Sequence, residues 1–448
     1  MNGLEALDET ADVLIAGGGI AGLSAAVRLK TLGLRPLVLE SSARVGGRMT
    51  TDRVNGYAID TGVTLLGKRF HGLRALSREL GVAAVPVGFS LSLRDAGGER
   101  RYRAQWPSDL LFGKGLSLAA KWAAVRVLSG IVAAGRGMLH GNSDRLRGLD
   151  RESVAEYFAR LGRGGQELFT KVFEPGLRAA LGGASASSRF VLMQVIWNTL
   201  AAGFWNVDGG VDRLPEAAAR GVPVALGAEV RALRLAPGGV EADVATRDGS
   251  RTLHARAAIL ALPGQLVPPI FEGAPEWLSE PASRTAFSRL SSAHVALSRP
   301  PDTEHVGHGF AAGGEDGIGV LELEHLRAPG RCPPGKGMVS VYFVDTPSFR
   351  CLDVSDAELR EKALRVVARA FPEVMGRDEF VHLIRWPEAI AQFPRGRLTE
   401  LVALRKQLAN WNAPVALAGD WLDGVGSESA LQMGLRAADQ VARRASRA

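Results

Sequence analysis

The glycine-rich segment 17–22, Gly-Gly-Gly-Ile-Ala-Gly, constrains the fold of this chain more than any other stretch. The apolar run 11–16 before it predicts a buried strand, and small and apolar residues at helical spacing over 21–32 predict a helix after it. A second apolar run, 36–39, predicts another strand, which ends in Glu40. This strand–turn–helix–strand order, with G-x-G-x-x-G at the turn, is the arrangement that binds a dinucleotide.

The three glycines of the pattern have separate roles. Gly17 permits the tight turn, Gly19 lets the backbone approach a pyrophosphate, and Gly22 lets the helix pack closely on the strand. The first helical residues, Ile20 and Ala21, lie where unpaired N–H groups and the positive end of the helix dipole face the phosphates. The alternative is an ordinary glycine-rich turn, which the flanking strands disfavour.

Glu40 lies 18 positions after Gly22, where a carboxylate accepts hydrogen bonds from the ribose of an adenosine. A carboxylate repels a 2′-phosphate, so this residue disfavours NADP. Just beyond it, Arg44 and Arg48 flank the dipeptide Gly-Gly at 46–47. Arginine pairs with a pyrophosphate bidentately, and the glycines let this loop lie flat against a cofactor.

On these residues the chain resembles the flavin-containing amine oxidase superfamily, which includes monoamine and polyamine oxidases, protoporphyrinogen oxidase, and the carotenoid and squalene desaturases. In that family the loop at 42–49 contacts FAD, and Glu40 and Arg48 stand at the matching positions. The segment 60–64, Asp-Thr-Gly-Val-Thr, matches the next family segment, which passes close to the flavin ring. The resemblance therefore implies FAD as the cofactor.

The C-terminal run 415–420 predicts a buried strand ending in Gly-Asp, and a helix starting at Ser427 or Ser429 is expected to reach about Arg444. An Asp at a strand end accepts hydrogen bonds from ribityl hydroxyls, and the helix start directs positive charge toward a flavin. Glu428, in the first turn, weakens that charge. Five residues fall on the C-terminal FAD motif of the resembling family: Gly419, Asp420, Leu431, Gln432 and Met433.

The middle of the chain predicts the rest of the fold. Strand-like runs at 228–235, 239–246 and 251–255, separated by turn residues, predict a β-meander, and the run 257–263 predicts another buried parallel strand. In the resembling family, the position of Val230 holds adenine through its backbone. With 448 residues, the chain is long enough for about two domains. The order of strands and helices predicts an α/β protein. A Rossmann-like FAD-binding domain, with a parallel sheet and the meander, carries an inserted α+β substrate-binding domain.

The expected domain boundaries follow from these segments. The FAD-binding domain is assembled from residues 1–84, 208–267 and 393–448. The substrate domain is assembled from residues 85–207, which are mostly helical, and 268–392.

The residues expected to bind FAD lie in the two chain ends and at one position of the meander. They are Gly17, Gly19, Ile20, Ala21, Gly22, Glu40, Ser41, Arg44, Gly47, Arg48, Gly62, Val63, Thr64, Val230, Gly419, Asp420, Leu431, Gln432 and Met433. Cys332 and Cys351 lie outside these segments, so the FAD is expected to be non-covalent. Two cysteines without metal-ligand spacing, and an acidic segment 1–12 without an apolar stretch, favour a cytoplasmic protein with no metal and no signal peptide.

Charge and hydropathy limit the partners of the chain. The net charge of +7 comes mainly from dispersed Arg, without a basic cluster interleaved with aromatics, so a nucleic-acid partner is not expected. The stretch 108–139 is apolar and helical in pattern, but Lys and Arg interrupt it, so it does not span a membrane. It is either a helical hairpin of the substrate domain or an interfacial helix, which leaves peripheral membrane contact open. Nothing indicates the oligomeric state.

His294, in the strand-like run 291–297, is the candidate catalytic residue. Many amine oxidases of the resembling family carry a Lys near this point, bonded through water to the flavin. A neutral His holds the same water or takes a proton from an amine; the alternative is a His satisfied within a sheet. Gln194 and Asn198, in the uncharged stretch 190–207, belong either to a core helix or to the wall of a substrate cavity.

The resemblance implies two-electron oxidation, with hydride transfer to flavin N5, of an amine or a hydrophobic small molecule, polycyclic or isoprenoid in kind. The segments 386–393 and 424–426 look most like protoporphyrinogen oxidase. One alternative is a carotenoid- or squalene-type desaturase or dehydroxylase that uses an acceptor other than oxygen. Another is a FAD-dependent isomerase or a flavin-binding protein without turnover. An NAD-dependent dehydrogenase is the weakest interpretation.

Overall fold

A computed structural model describes residues 10–88, 90–95, 98–102, 107–113, 115–135, 140–141, 143–181, 185–200, 203–310 and 317–445. The strands are β1 Val13–Ala16, β2 Pro36–Glu40, β3 Thr51–Val54, β4 Tyr57–Asp60, β5 Leu66–Gly67, β6 Ala84–Val87, β7 Leu91–Asp95, β8 Gly98–Tyr102, β9 Phe204–Val207, β10 Val224–Leu226, β11 Glu229–Ala236, β12 Gly239–Thr246, β13 Gly249–Ala255, β14 Ala257–Leu260, β15 Leu290–Leu297, β16 Gly307–Phe310, β17 Ile318–Leu323, β18 Gly337–Val344, β19 Asp378–Trp386 and β20 Val415–Leu417. The helices are α1 Ile20–Thr31, α2 His71–Glu79, α3 Pro107–Phe112, α4 Leu118–Ala134, α5 Val154–Arg160, α6 Gly162–Leu168, α7 Glu174–Leu181, α8 Arg189–Val195, α9 Arg213–Arg220, α10 Val267–Ile270, α11 Glu276–Ser283, α12 Glu324–Arg327, α13 Asp356–Ala370, α14 Arg397–Asn410 and α15 Ser427–Ala445.

A parallel five-stranded sheet, ordered β10-β2-β1-β14-β20, forms the centre of the nucleotide-binding part. Its strands come from three separate stretches of sequence, 13–40, 224–260 and 415–417. Both faces of these strands are buried, which explains their continuous apolar runs. The predicted α/β class with a parallel sheet is therefore confirmed.

The two faces of this sheet are covered by different elements. The antiparallel meander β11-β12-β13 packs on one face, where Val240, Ala242 and Val244 meet Leu14 and Leu260. Helices α1 and α15 cover the other face. They approach closely: a Cβ on Gly434 of α15 would lie 2.1 Å from the carbonyl oxygen of Ala21. This packing fixes the start of α1 beside the C-terminal helix.

A seven-stranded sheet, ordered β19-β15-β18-β17-β16-β7-β8, forms the second part of the molecule. On one face, Val295 and Val341 pack against Val366 of α13. On the opposite face, Ala296 packs against Ile59 of β4. This second face is the one that looks toward the nucleotide-binding part, so its side chains are available to line a site between them.

The sequence patterns left some elements undefined. The region 268–392, assigned to the substrate domain, contains α11, α12 and α13 besides its strands, and α14 follows it. The uncharged stretch 190–207 divides into α8, a π-helical segment over 196–200 and strand β9. The helix does not continue into β9 because Gly203 has a φ of +79°, and Phe204 pairs with β5 and β6. No helix among the described residues combines the length and apolar content that crossing a membrane requires.

Candidate active site

The glycine turn between β1 and α1 leaves open space at one position and tight contacts at the other two. A Cβ on Gly17, whose φ is +105°, would lie 2.5 Å from the carbonyl oxygen of Ala261, and a Cβ on Gly22 would lie 2.0 Å from the oxygen of Gly17. A Cβ on Gly19 would meet nothing within 4 Å. The turn is thus locked by packing on both sides, while Gly19 leaves the N-terminus of α1 open to an anion.

Glu40 lies beside this turn at the end of β2. Its Oε2 accepts a hydrogen bond of 2.7 Å from the N–H of Gly18, and its Oε1 accepts one of 2.9 Å from the N–H of Ser42. The backbone carbonyl of Glu40 accepts from the N–H of Ala228 at 2.9 Å, which brings Val230 on β11 to the same end of the sheet. Ser41 lies between these residues, with its hydroxyl 3.5 Å from Oε1 of Glu40.

Arg48 joins three distant parts of the chain. One of its terminal nitrogens donates to the carbonyl of Ala389 and the other to Oδ1 of Asp420, both at 2.8 Å. Its guanidinium also stacks on the ring of Phe287, 5.3 Å from the centroid. The N-terminal loop, the segment that follows β19 and the C-terminal Gly-Asp turn therefore meet at one side chain.

Arg44 takes a different direction from Arg48. It donates to Asp52 at 2.7 Å, and the other oxygen of Asp52 lies 2.9 Å from Nε2 of His382. Burial, which acts to raise the pKa of Asp52, is outweighed by these two hydrogen bonds, so its pKa is lowered. Arg44 is thus held by a carboxylate rather than directed at the glycine turn.

The segment 61–64 packs directly against Arg48. A Cβ on Gly62 would lie 2.4 Å from the carbonyl oxygen of Arg48, and the N–H of Val63 donates to that oxygen at 2.9 Å. The carbonyl of Thr64 accepts from the side chain of Asn206 at 2.8 Å. Gly47 is close as well: its Cβ would lie 3.4 Å from the Cα of Gly19. The segments that resemble FAD-contacting elements are therefore contiguous in space.

The helical part of the C-terminal motif has two buried apolar side chains and one amide that is hydrogen-bonded. Leu431 and Met433 are buried, while the side chain of Gln432 donates to Glu428 at 2.9 Å. Glu428 itself accepts from the N–H groups of Gly72 and Leu73 at 2.8 and 2.9 Å. Glu428 therefore caps α2 in addition to lying in the first turn of α15, which no local sequence signal indicates.

His294 lies in the interior of the seven-stranded sheet and is fully buried. Nδ1 is 2.7 Å from the hydroxyl of Ser340, and Nε2 is 3.0 Å from the hydroxyl of Ser292. Burial, reinforced by His382 and Arg327, lowers its pKa to about 3. This environment favours the second interpretation, a histidine satisfied within a sheet, and its catalytic role stays a prediction.

Gln194 lies on α8, within the uncharged stretch 190–207. It is fully buried, and neither atom of its amide has a hydrogen-bond partner among the described residues. It faces the C-terminal turn: a Cβ on Gly424 would lie 2.4 Å from its Oε1. Asn198 differs, because its side chain donates to the backbone carbonyl of Gln194 at 2.8 Å. Of the two residues singled out in the sequence, Gln194 therefore directs its amide toward the C-terminal turn, whereas Asn198 is hydrogen-bonded to the backbone of its own helical segment.

A buried charge cluster lies behind the site and was not predicted. Its members are Asp60, Glu322, Glu324, Arg327 and Arg331. Arg331 donates to Asp60 at 2.8 Å and Arg327 to Glu322 at 2.9 Å, while Glu324 contacts Arg327 and accepts from Ser340 at 2.6 Å. Burial raises the pKa of Glu324 to about 7, and the carboxylates of Glu322 and Asp60 add to this effect while Arg327 opposes it. Among the described residues no group of His, Cys, Asp and Glu has the arrangement of a metal site.

The molecule matches known proteins over most of its length. The family model of flavin-containing amine oxidoreductases matches residues 20–442. "Putative flavin-containing monoamine oxidase AofH" of Mycobacterium tuberculosis is 29% identical over 81% of this chain and 80% of its own. Coproporphyrinogen III oxidase of Bacillus subtilis is 24% identical over 94% of this chain and 96% of its own. The solved structure of cyclohexylamine oxidase from Brevibacterium oxydans superposes with a TM-score of 0.77 at 20% identity, over 98% of this chain and 100% of that chain.

The chain therefore belongs to the flavin-containing amine oxidoreductase family. It is an oxidoreductase and its cofactor is FAD, as the resemblance implied. The described residues fit this group. Gly19 leaves the open cradle that a pyrophosphate needs, Glu40 provides a carboxylate at the end of β2, and Asp420 provides one at the end of β20.

Proposed function

We propose that the protein uses FAD to oxidise a hydrophobic small molecule, an amine or a polycyclic compound, by two-electron removal of hydride. When bound, FAD supplies the acceptor for that hydride. The observation that carries the proposal is an apolar wall beside Arg48. Leu290, Val320 and Tyr342 form a buried cluster on the sheet, with Ala389 packed against it, and the carbonyl of Ala389 is the one that accepts from Arg48.

We also propose the FAD-binding roles that the resemblance implies for these residues. Gly17, Gly19 and Gly22, with Ile20 and Ala21, hold the pyrophosphate at the start of α1. Glu40 and Ser41 bind the ribose, Val230 holds adenine through its backbone, and Asp420 accepts from the ribityl chain. The flavin ring lies against the segments around Gly47, Arg48, Gly62, Val63 and Thr64 on one side of the site and Gly419, Leu431, Gln432 and Met433 on the other. Arg44 pairs with Asp52, and we include it among the FAD-binding residues only because it lies in the same loop as Gly47 and Arg48.

The chain's own residues then account for orientation and exclusion of water. The apolar wall accepts a hydrophobic substrate and removes water from it, which strengthens electrostatic interactions in the site. Gln194 offers an unpaired amide that a polar group of the bound molecule satisfies. Because burial leaves this amide without water, it discriminates strongly between molecules that pair with it and molecules that do not.

The proposal is supported by what similar proteins act on. These relatives are named as oxidases of amines and of a porphyrinogen. We place the substrate of this chain in that range, and the apolar wall favours its hydrophobic members.

The test is anaerobic reduction of the purified holoprotein by candidate substrates. Flavin absorbance is expected to bleach with a hydrophobic amine or a porphyrinogen and to remain unchanged with small, strongly polar amines. Rapid recovery in air with hydrogen peroxide supports an oxidase, whereas slow recovery indicates a desaturase-type enzyme with another acceptor. Product formation without bleaching would indicate an isomerase and contradict the proposal, as would a protein that takes up no FAD on reconstitution.

A further inference from the structure

Helix α4, Leu118–Ala134, is apolar on two opposite faces, and the protein covers only one of them. Ala120, Ala123, Val127 and Ile131 are buried on the covered face. The helix is held closely there, since a Cβ on Gly164 of α6 would lie 2.3 Å from the backbone of Ala119. A helix with apolar residues all round belongs in a core or in contact with lipid, so the second face requires an explanation.

The second face exposes large apolar side chains next to one another. Leu118, Trp122 and Val132 of α4 are 78%, 70% and 72% exposed, and Phe112 at the end of the adjacent α3 is 81% exposed. Val125 lies between them on the same face of α4. We call this set of five residues the α4 patch. Scattered exposed apolar residues are ordinary, but a contiguous group of this size marks an interaction surface.

The charged residues of α4 and of its flanking sequence, after Asp109 of α3, are all cations. Residues 110–143 contain four Lys or Arg and no Asp or Glu. Lys121 and Arg126 lie on α4 itself, and Arg126 is exposed. Glu167, which contacts Ser117 before the helix, is itself paired with Lys171 at 2.8 Å. The patch is thus an apolar surface bordered by cations.

We propose that the α4 patch docks the protein on an anionic lipid surface, with α4 lying in the plane of the interface. The apolar side chains enter the boundary between headgroups and acyl chains, Trp122 sits at headgroup level, and Lys121 and Arg126 extend to the lipid phosphates. Charge decides against a second copy of this chain as the occupant. A two-fold pair would bring α4 against α4, placing cations opposite cations without a carboxylate from this stretch to balance them.

The proposal does not depend on the substrate. It is tested by sedimenting the full-length holoprotein with vesicles of phosphatidylcholine alone or mixed with phosphatidylglycerol. The expected partition coefficient is about 25-fold higher on the anionic vesicles, since each of the two cations contributes about fivefold. Binding to both kinds of vesicle at equal strength, or to neither, would overturn the proposal.

Two variants separate the apolar from the ionic contribution. The combined variant Leu118→Gln, Trp122→Gln, Val132→Gln is expected to lower partition onto anionic vesicles by at least about tenfold. Lys121→Gln with Arg126→Gln is expected to lower it about 25-fold and to leave the weak binding to neutral vesicles unchanged. Met375→Gln is the matched control, because Met375 is 72% exposed and lies outside the α4 patch.

The variants replace exposed residues and the half-buried Lys121, so flavin absorbance and the unfolding temperature are expected to match the unmodified protein. If the combined variant binds anionic vesicles as tightly as the Met375→Gln control, the α4 patch is not the docking surface. If light scattering instead shows a dimer that the combined variant converts to monomer, the occupant is a second copy and the lipid proposal is overturned.

Discussion

Gln194 is a buried residue whose amide has no hydrogen-bond partner among the described residues. An unpaired buried amide costs about 1–3 kcal/mol, and such groups persist where something else satisfies them. We expect Gln194→Leu to leave the unfolding temperature of the FAD-free protein unchanged or raised. With the best substrate found, kcat/KM is expected to fall about tenfold or more, because the amide's hydrogen bond to the bound molecule is lost.

Gln440→Leu is the matched control for Gln194→Leu. Its side chain donates to the carbonyl of Leu408 at 2.8 Å, far from the site, so its loss should lower stability and leave kcat/KM unchanged. If Gln194→Leu behaves as the control does, Gln194 is a structural residue.

His294 is expected to make the stability of the seven-stranded sheet depend on pH. Its pKa in the folded protein, about 3, lies below the ordinary value of 6.5, so the folded state binds fewer protons than the unfolded state between these values. This histidine therefore costs no stability above pH 6.5 and progressively destabilises the fold as the pH falls toward 3, by up to about 5 kcal/mol. We expect His294→Asn, which cannot take up a proton, to flatten the acid limb of a urea-denaturation series run against pH.

The same variant tests the catalytic prediction. His254→Asn is its control, because that side chain is 69% exposed and should change neither stability nor turnover. If His294→Asn abolishes flavin reduction by substrate at neutral pH while the fold and the FAD content are retained, the residue acts in the reaction. Retained turnover assigns it to the sheet.

At the scale of elements, helix α2 depends on a carboxylate from the other end of the chain. Glu428 accepts from Gly72 and Leu73, two of the N–H groups that a helix start leaves unpaired. We expect Glu428→Gln to destabilise the protein by about 1–2 kcal/mol, because the charge at the helix N-terminus is lost. Hydrogen exchange should become faster in α2 than in α1. Glu361→Gln, at a carboxylate 77% exposed, serves as the control and should show neither effect.

Sequence patterns predicted the elements whose causes are local. The glycine turn and the meander strands with their turn residues follow from residues a few positions apart. Contacts across hundreds of residues have no such signal. Glu428 on α2, Gln194 against Gly424 and Arg331 on Asp60 arise only when the segments meet. The segments that resemble FAD-contacting elements were therefore predictable, whereas these long-range contacts were not.

At the scale of the whole molecule, the buried charge cluster connects the end of β4 to the seven-stranded sheet. Glu324 has a folded-state pKa of about 7, above its ordinary 4.5, so the folded state binds the extra proton between these values. Its contribution therefore falls as the pH rises from about 4.5 to about 7, by about 3 kcal/mol in total. We expect Glu324→Gln to be more stable than the unmodified protein at pH 8, with the difference vanishing near pH 4.5. Chemical denaturation at both pH values measures it, and an equal difference at both would contradict this account.

Arg48 joins the N-terminal and C-terminal segments of the nucleotide-binding part to the chain after β19. It contacts Asp420 and Ala389, so binding of FAD should stabilise the whole molecule through this side chain. A ligand at a thousand times its Kd adds about 4 kcal/mol, and a tenfold weaker Kd reduces this to about 2.7 kcal/mol. We expect Arg48→Lys, which lacks the planar fork of arginine, to lower the FAD-induced stabilisation by about 1.4 kcal/mol at a fixed FAD concentration. Arg365→Lys is the matched control, because Arg365 is 56% exposed, pairs with Glu361 and should leave the stabilisation unchanged. A larger loss in Arg44→Lys than in Arg48→Lys would show that Arg44 leaves Asp52 when FAD binds, and would transfer the joining role to the loop before Arg48.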